Sequence, residues 1–391
     1  MIRLRRTWRR FSAMVRLWIS EHWPYNKRNI SGSSPPMSAL RPVILLLAAF
    51  GTMLAAPAAA QSTGDEGANS LSGQPSLVLP SDTPAGGNLD DFVIAGGPAN
   101  APGFGLAGAL CTAYNVQVNP DEPVCLVRAT TGSAENLALV AEGRADFAVV
   151  QSDRQYFAFS GQADYAGGDA IEDLRAVFSF AVLPIHVLAS ATSPAEGLDG
   201  LAGGRVGLGP MDSSQRLLAQ AALFASDVPV SRMARVHEGS LATQIEALCA
   251  NELDAVIFPS VLPSTLVSDA LWECGARLIP LASEGVDVLV DSNPFFEPYL
   301  IPQDAYGLEV PVESIGLALT LVSREVVPQG RVTALLQAAF ADFDFFRSLH
   351  PALTMLDPEG ALRAGLVAPQ HRGLQQYLEV RAQYGGIEAL D

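Results

Sequence analysis

Two clusters of small polar residues, Thr130–Ser133 (TTGS) and Gln151–Asp153 (QSD), flank an apolar stretch of the chain. Their hydroxyl, amide and backbone groups donate and accept hydrogen bonds, and neither cluster pairs a nucleophile with a base. A helix beginning at Ser133 would add a positive N-terminus, which suits a carboxylate or another anion. The clusters therefore indicate non-covalent binding of a small polar molecule.

The elements around the two clusters form one βαβ unit. VCLVRAT is predicted as a strand, Ser133 as the N-cap of a helix, and FAVVQ as the returning strand. A right-handed crossover brings both clusters to the carboxyl edge of two parallel strands, where open α/β sheets bind ligands.

The same pattern recurs 107 positions later, because Arg128–Asp153 and Arg235–Ser260 have equal length and place Gly-Ser at the same point. A strand, a loop and a helix precede each copy. Any two βαβ units look somewhat alike, which is the alternative explanation. The repeat favours an α/β fold of two similar lobes, each a mainly parallel sheet flanked by helices, with a ligand cleft between them.

Composition changes along the chain suggest the domain boundaries. Residues 61–90 are rich in Gly, Ser, Pro and Asp, which is typical of a flexible linker. The predicted division is an upstream extension plus signal peptide in 1–60, the linker in 61–90, lobe one in 91–190 and 300–391, and lobe two in 195–298.

The N-terminal region resembles a secretory signal. Arg41 precedes an apolar run of about a dozen residues, and Ala58–Ala60 offers a small-residue cleavage site. We expect Met37 to be the true start, cleavage after Ala60 and a periplasmic protein. An uncleaved membrane anchor is the alternative, but the run is shorter than the roughly 20 residues a span needs. A basic arm that binds nucleic acid is the alternative reading of the first 36 residues.

The charge balance argues against nucleic-acid partners. Residues 1–60 hold nine basic residues and one acidic residue, so the chain's formal net charge of −17 becomes −25 for the remainder, which contains no lysine. Such a chain repels nucleic acid and anionic membranes. We expect a monomer that binds a small-molecule solute.

Four cysteines follow the signal region, and export makes disulfides the default. Three connectivities are open. Pairing neighbours, Cys111 with Cys125 and Cys249 with Cys274, keeps each bridge local and gives one to each half. A metal site is the weaker alternative, since no C-x-x-C and no nearby histidine supplies ligand spacing.

Other chemistry finds little support. GFGLAG (Gly103–Gly108) lies too far beyond its strand for a dinucleotide fingerprint, and no G-x-S-x-G or H-E-x-x-H occurs. His186 lies in an apolar strand and fits a satisfied core residue, while His237 lies at the predicted ligand edge of lobe two. We expect no enzyme activity, no cofactor and no metal.

The segments TTGSAENL, AEGRADFAVVQSD, SLATQIEALCANELDAVIF and PVESIGLALTLVSREVVP together resemble the TAXI family, the solute receptors of TRAP transporters. The likeness extends from about Asp91 to the C-terminal region. It implies a periplasmic-binding-protein fold, type II-like, of two α/β lobes joined by crossing strands. It also implies delivery of a small solute, most often a carboxylate or amino acid, to the membrane subunits of a TRAP transporter. In the loop GPMDSSQ, Asp212 and Ser214 stand where the family has glycines.

The resemblance and the βαβ pattern together give a set of expected ligand-binding residues. In lobe one these are Phe104, Thr130, Thr131, Gly132, Ser133, Asn136, Gln151, Ser152 and Asp153, and in lobe two Ser213, Ser214, Gln215, Phe258 and Ser260. Arg154, the nearest positive charge, is expected to face solvent. A periplasmic sensor that signals to a membrane receptor or kinase is the alternative to a transport receptor.

Overall fold

The computed structural model describes residues 78–79, 91–119, 121–211 and 213–384. The signal peptide, the upstream extension and most of the linker expected from the sequence lie outside these residues, as does Asp212. None of the described helices is long and apolar enough to cross a membrane.

Eleven strands are found in the described part of the chain. They are β1 (Val78–Leu79), β2 (Phe92–Gly97), β3 (Cys125–Ala129), β4 (Phe147–Gln151), β5 (Leu174–Ala189), β6 (Arg205–Gly207), β7 (Arg235–His237), β8 (Ala255–Pro259), β9 (Arg277–Leu278), β10 (Phe296–Ile301) and β11 (Val312–Arg324). β1 lies within the segment predicted as a linker, and it pairs in parallel with β3.

Eleven α-helices are found in the same residues. They are α1 (Pro102–Asn115), α2 (Ser133–Ala141), α3 (Ser152–Ser160), α4 (Ser214–Ala225), α5 (Leu241–Cys249), α6 (Thr265–Glu273), α7 (Glu284–Ser292), α8 (Gln329–Phe340), α9 (Phe343–Ser348), α10 (Pro358–Ala361) and α11 (Arg372–Tyr384). The sequence pattern predicts one helix over RVTALLQAAFADFDFFRSL, but Asp342 interrupts it and caps α9 by accepting a hydrogen bond from Phe345 N–H at 3.1 Å.

The two predicted βαβ copies have the same topology in the structure. The strands follow one another in the order β1-β3-β2-β4-β11-β5-β8-β6-β7, with β10 beside β11 and β9 beside β5. In lobe one, β2 lies between β3 and β4 in parallel, and in lobe two β6 lies between β7 and β8 in parallel. The expected two-lobed α/β fold is therefore what the structure shows.

Each lobe buries apolar side chains on both faces of its sheet. Along β2, Phe92 and Ile94 pack on one face while Val93 and Ala95 pack on the other, as the two-residue period of a strand requires. Lobe two repeats this arrangement, with Ile257 on one side of β8 and Val256 on the other. The strands are continuous apolar runs because helices cover both faces.

Both expected disulfides are present, one in each lobe. Cys111 on α1 is joined to Cys125 at the start of β3, and Cys249 at the end of α5 to Cys274 after α6. Each therefore ties a helix of the βαβ repeat to its neighbouring element.

Two long antiparallel strands connect the lobes. The first part of β5 pairs with β11 in lobe one, and its last part, Ile185–Ala189, pairs with β8 in lobe two. β11 pairs with β4 through Leu319–Ser323 and with β10 through Val312–Leu317. The pairing of β5 with β11 shifts register twice, between Leu319 and Thr320 and between Leu321 and Val322. Such bulges bend and twist a strand, and both lie in the lobe-one part of the crossing pair, where β11 also pairs with β4.

We predict that Gly316→Ala destabilises the protein, because the crossing strands meet closely at this glycine. A Cβ there would lie 2.5 Å from the carbonyl oxygen of Leu183 and 2.7 Å from Cγ1 of Val182. We expect a loss of about 1–3 kcal/mol in the free energy of unfolding, measured by urea denaturation. Gly330→Ala is the control, since nothing lies within 4 Å of a Cβ at that position in α8. Equal stability of Gly316→Ala and the wild type would contradict the close approach.

His186 is a buried, hydrogen-bonded core residue. Because a carbonyl oxygen can only accept, Nδ1 donates to the Pro184 oxygen at 3.1 Å, which leaves Nε2 to accept from the Tyr306 hydroxyl at 2.9 Å. The ring also stacks on Phe258, with the centroids 5.5 Å apart. Burial lowers the pKa of His186 from 6.5 to about 4.

We therefore predict that His186 makes stability depend on pH in mildly acidic solution. Above pH 6.5 the imidazole is neutral in both states, and between 6.5 and about 4 only the unfolded chain binds the proton. The free energy of unfolding should fall across this window by up to about 3 kcal/mol from this group. Urea denaturation at several pH values should show a shallower fall for His186→Gln. Identical slopes for the two proteins would contradict the assignment.

Candidate functional site

The carboxyl edge of the lobe-one sheet is where three helices begin. β2, β3 and β4 run in parallel, and α1, α2 and α3 follow their carboxyl ends. The loops there are joined to one another, since Thr130 N–H donates to the Gly97 oxygen at 2.9 Å. The polar clusters singled out in the sequence therefore lie at one edge of the sheet, with the glycine-rich loop after β2 beside them.

A cavity of about 380 Å³ lies over this edge. We call it the cleft cavity. One wall is the end of β2 and the loop after it, through residues 96–98 and 101–103. The other walls are the loop Thr131–Ala134 and the side chains of Asn136, Gln151 and Arg154. Val149, Leu183 and Leu319 add apolar surface, and Ser214 closes it from lobe two. The cleft cavity thus lies between the lobes and combines a polar edge with an apolar floor.

Gly132 gives the TTGS loop its shape. Its φ of +137° and ψ of −167° belong to a region of backbone conformation that is essentially restricted to glycine. Nothing lies within 4 Å of a Cβ built at this residue, so the backbone conformation and not crowding demands the glycine. The conformation places Gly132 as the N-cap of α2 with its backbone at the cavity wall.

The threonines and Asn136 hold the TTGS loop in place. The Thr130 hydroxyl donates to Oδ1 of Asn136, and Nδ2 of Asn136 donates to the Val149 oxygen at 2.8 Å. Thr131 donates through its N–H and its hydroxyl to the Glu135 carboxylate, at 2.7 and 2.8 Å. These bonds lower the pKa of Glu135 and anchor that carboxylate to the loop.

The lobe-one helices that begin at the cleft cavity have no side-chain cap at their N-termini. No side chain caps α1, α2 or α3 at Ala101, Gly132 or Gln151. In lobe two, by contrast, Ser213 caps α4 by accepting a hydrogen bond from Arg216 N–H at 3.1 Å. The positive ends of three helix dipoles therefore lie at the lobe-one wall and favour an anion, with Glu135 and Asp153 opposing this from the first turns of α2 and α3.

Arg154 adds a side-chain positive charge to this wall. It was expected to face solvent, but it is only 9% exposed and lines the cleft cavity. Its guanidinium lies 3.6 Å from the carboxylate of Asp153 and 3.7 Å from that of Asp164. The expectation was wrong because the sequence does not show that a helix begins at Ser152 and turns Arg154 inward.

The three residues of the QSD cluster have different surroundings. Gln151 lines the cleft cavity, and its N–H donates to the Ser133 hydroxyl at 3.4 Å. The Ser152 hydroxyl is fully buried, donating to the Phe295 oxygen at 2.8 Å and accepting from Ala318 N–H at 3.1 Å. It therefore ties α3 to the crossing strand β11.

Asp153 is buried behind the cavity wall. Burial raises the pKa of its carboxyl group, against the opposing effect of Arg154. Its Oδ1 has no hydrogen-bond partner among the described residues. Asp153 therefore depends on the Arg154 guanidinium for its charge balance.

In lobe two, only Ser214 of the expected residues lines the cleft cavity. Ser213 is the α4 cap, and Gln215 is held by hydrogen bonds from its Nε2 to Gln244 Oε1 and to the Ile257 oxygen, both at 3.0 Å. Gln215 thus fixes α4 to β8.

Phe104, Phe258 and Ser260 do not line the cleft cavity. Phe104 packs against the lobe-one core, and Phe258 is buried beside His186. Ser260 N–H donates to the Pro184 oxygen at 3.2 Å, which joins the end of β8 to the crossing strand β5.

Sequence reasoning did not single out several lining groups. Gly96 and Gly97 are the last residues of β2, and Pro102 at the first position of α1 is a helix-start signal that the sequence displays. Leu183 and Leu319 carried no signal, because only the pairing of β5 with β11 brings them to the cavity.

Within the described residues no group of three His, Cys, Asp or Glu side chains is arranged to hold a metal ion. The described side chains that line the cleft cavity include no histidine and no cysteine. The site offers hydroxyl and amide groups, helix N-termini and one guanidinium.

Solved structures with a similar fold include solute-binding proteins. A TctC solute binding protein from Polaromonas matches with 17% identity and a TM-score of 0.49, over 79% of this chain and 99% of its own. The periplasmic aliphatic sulphonate binding protein SsuA from Escherichia coli matches with 15% identity and a TM-score of 0.42, over 75% of this chain and 79% of its own.

The sequence itself matches a family model across both lobes. The match covers residues 94–379, which include every strand from β3 to β11 and most of β2 and α11. By this match the protein belongs to the NMT1-like family.

Proposed function

We propose that this protein is an extracytoplasmic solute receptor that holds a small carboxylate-bearing solute between its lobes and delivers it to a TRAP-type membrane permease. One observation carries the proposal: three uncapped helix N-termini and the buried Arg154 meet at a single interlobe cavity. An anion placed there gains charge-assisted hydrogen bonds that water would otherwise provide.

The size and lining of the cleft cavity favour a small organic acid or amino acid. Its volume of about 380 Å³ lies within the range of ordinary small-molecule sites. Leu183 and Leu319 suit the hydrocarbon part of such a solute, and Thr131, Ser133 and Gln151 suit its polar groups. An inorganic anion would leave the apolar part of the cavity without a partner.

A receptor needs the lobes to close, and the connections between them allow this. β5 pairs with strands of both lobes, and its long partner β11 pairs with β4 and β10 and places Ile315 and Leu317 in the core of lobe two. Ser214 at the start of α4 faces the lobe-one wall across the cleft cavity. Hinge bending at the crossing would bring the N-terminus of α4 onto the solute.

The TRAP-type partner and the periplasmic location rest on the sequence and the disulfides. TTGSAENL and the QSD cluster resemble the TAXI receptors of TRAP transporters. The two disulfides favour an oxidising compartment.

Deleting the gene should abolish ion-gradient-driven uptake of the bound solute. Uptake that continues unchanged, with solute binding intact, would favour a sensor role.

The first test is a thermal-shift and calorimetric screen of monocarboxylates, dicarboxylates, amino acids and neutral sugars against the chain without its signal region. We expect a carboxylate to bind and its amide to bind much more weakly. At 100 times its dissociation constant the ligand should add about 2.7 kcal/mol to the free energy of unfolding. Binding of neutral sugars alone would contradict the proposal.

We predict that Gly132→Ala weakens carboxylate binding, because alanine does not tolerate the backbone conformation at the start of α2. The loop should rearrange and move its N–H groups away from the solute. Gly203→Ala is the matched control: Gly203 also has a positive φ, +80°, with nothing within 4 Å of a Cβ, but it precedes β6 at the opposite edge of the sheet.

Both glycine variants should lose a similar amount of stability, about 1–2 kcal/mol. Calorimetry should find weaker binding in Gly132→Ala alone. Equal affinity in both variants would show that the α2 N-terminus does not contact the solute.

We predict that Arg154→Gln lowers the affinity for a carboxylate by about tenfold or more, because it removes a buried, charged hydrogen-bond donor. It should also destabilise the protein, since Asp153 loses its nearest positive charge. The double variant Asp153→Asn with Arg154→Gln removes both charges and should recover stability but not affinity. Recovery of affinity in the double variant would instead assign Arg154 a purely structural role.

A further inference from the structure

A second cavity lies on the other side of the crossing strands. It has a volume of about 260 Å³ and is lined by Ser179, Ala181 and Val182 of β5, by Glu297–Tyr299 of β10, by Leu262, and by residues between Ala352 and Ala364. We call it the hinge cavity. Consecutive residues of β5 separate the two cavities, because Val182 lines the hinge cavity while Leu183 lines the cleft cavity.

The hinge cavity is built from both lobes. Leu262 packs in the core of lobe two, whereas Ala352 packs in the core of lobe one. β10 runs between them and is paired with the crossing strand β11. A molecule in the hinge cavity would therefore contact surfaces that move relative to each other when the lobes close.

The polarity of the hinge cavity is opposite to that of the cleft cavity. Its described lining contains two carboxylates, Glu297 and Asp357, and no arginine, lysine or histidine. Asp357 is occupied as the cap of α10, accepting a hydrogen bond from Gly360 N–H at 2.5 Å. Glu297 accepts one bond, from Gly365 N–H to its Oε1 at 2.6 Å. Glu297 is thus the group that a cation in this cavity would meet.

The rest of the lining suits an apolar body around that charge. Leu262, Met355, Leu356 and four alanines surround the space, and Tyr299 adds an aromatic ring. Burial raises the pKa of Glu297, as expected for a carboxyl group with no cation beside it. An ammonium ion with alkyl groups would satisfy the carboxylate and fill the apolar surface.

We propose that the hinge cavity binds small organic ammonium ions with Glu297 as their counter-ion, and that its occupancy alters the closing of the lobes. The binding goes beyond the proposed receptor function and does not depend on the solute in the cleft cavity, whereas the coupling rests on the lobe closure of that proposed function. The coupling follows because the ligand contacts residues of both lobes, so its affinity differs between open and closed forms.

The test is a calorimetric titration with choline, and with 3,3-dimethylbutan-1-ol as an uncharged molecule of the same shape. We expect saturable binding of choline at millimolar concentrations and none of the alcohol. Glu297→Gln should weaken choline binding by about tenfold or more, while keeping an oxygen to accept from Gly365 N–H. Glu313→Gln is the matched control, because Glu313 is an exposed carboxylate on the adjacent strand β11.

Absence of saturable choline binding would overturn the proposal, as would equal binding by the alcohol or by Glu297→Gln. Ala364→Leu, which fills the cavity from a half-buried position, should abolish binding without removing a charge.

Small-angle X-ray scattering with and without choline tests the coupling between the hinge cavity and lobe closure. An unchanged radius of gyration at saturation would refute this coupling. Carboxylate titrations of the same variants report on the cleft cavity separately, so failure of one site is distinguishable from failure of the other.

Discussion

The close pairing of β5 with β11 is the constraint on which the rest of the structure depends. β5 pairs with strands of both lobes, and Gly316 lets the backbones of β5 and β11 approach where the lobes meet. Successive residues of β5 point to opposite faces, so Leu183 lines one cavity together with Leu319 while Val182 lines another. A small change of twist at the crossing would therefore alter both cavities together, while the buried sheets on either side move as rigid bodies.

The polarity of the cleft cavity comes from backbone groups more than from side chains. Three parallel strands end at one edge, so three helices begin there, and their N-termini lack side-chain caps. Such helix starts leave backbone N–H groups to water or to a ligand, except at α3, where the Asp153 carboxylate accepts from its own N–H and from that of Arg154. In lobe two the serine at the corresponding helix start caps its own helix, so lobe one supplies most of the attraction for an anion.

Much of the fold was predictable from the sequence, because alternating apolar runs and glycine-bounded helices mark each βαβ unit. The TTGS loop and Gln151 could be placed at the ligand edge for the same reason. What the sequence did not reveal depends on tertiary packing: Ser152 is turned inward to bind β11, and Arg154 is turned toward the cavity by a helix that has no periodic apolar signal. In lobe two, Phe258 lies away from the cleft cavity because it stacks on a core histidine that lies 72 positions earlier in the chain.

We propose above all that the carboxylate of the solute binds to backbone N–H groups at the N-termini of the lobe-one helices. A crystal structure of the protein with the best-binding carboxylate tests it most directly. The carboxylate oxygens should lie about 3 Å from the backbone nitrogens of Ser133 and Ala134, with the Arg154 guanidinium within hydrogen-bond reach. A solute whose charged group points toward lobe two or lies outside the cleft cavity would contradict it.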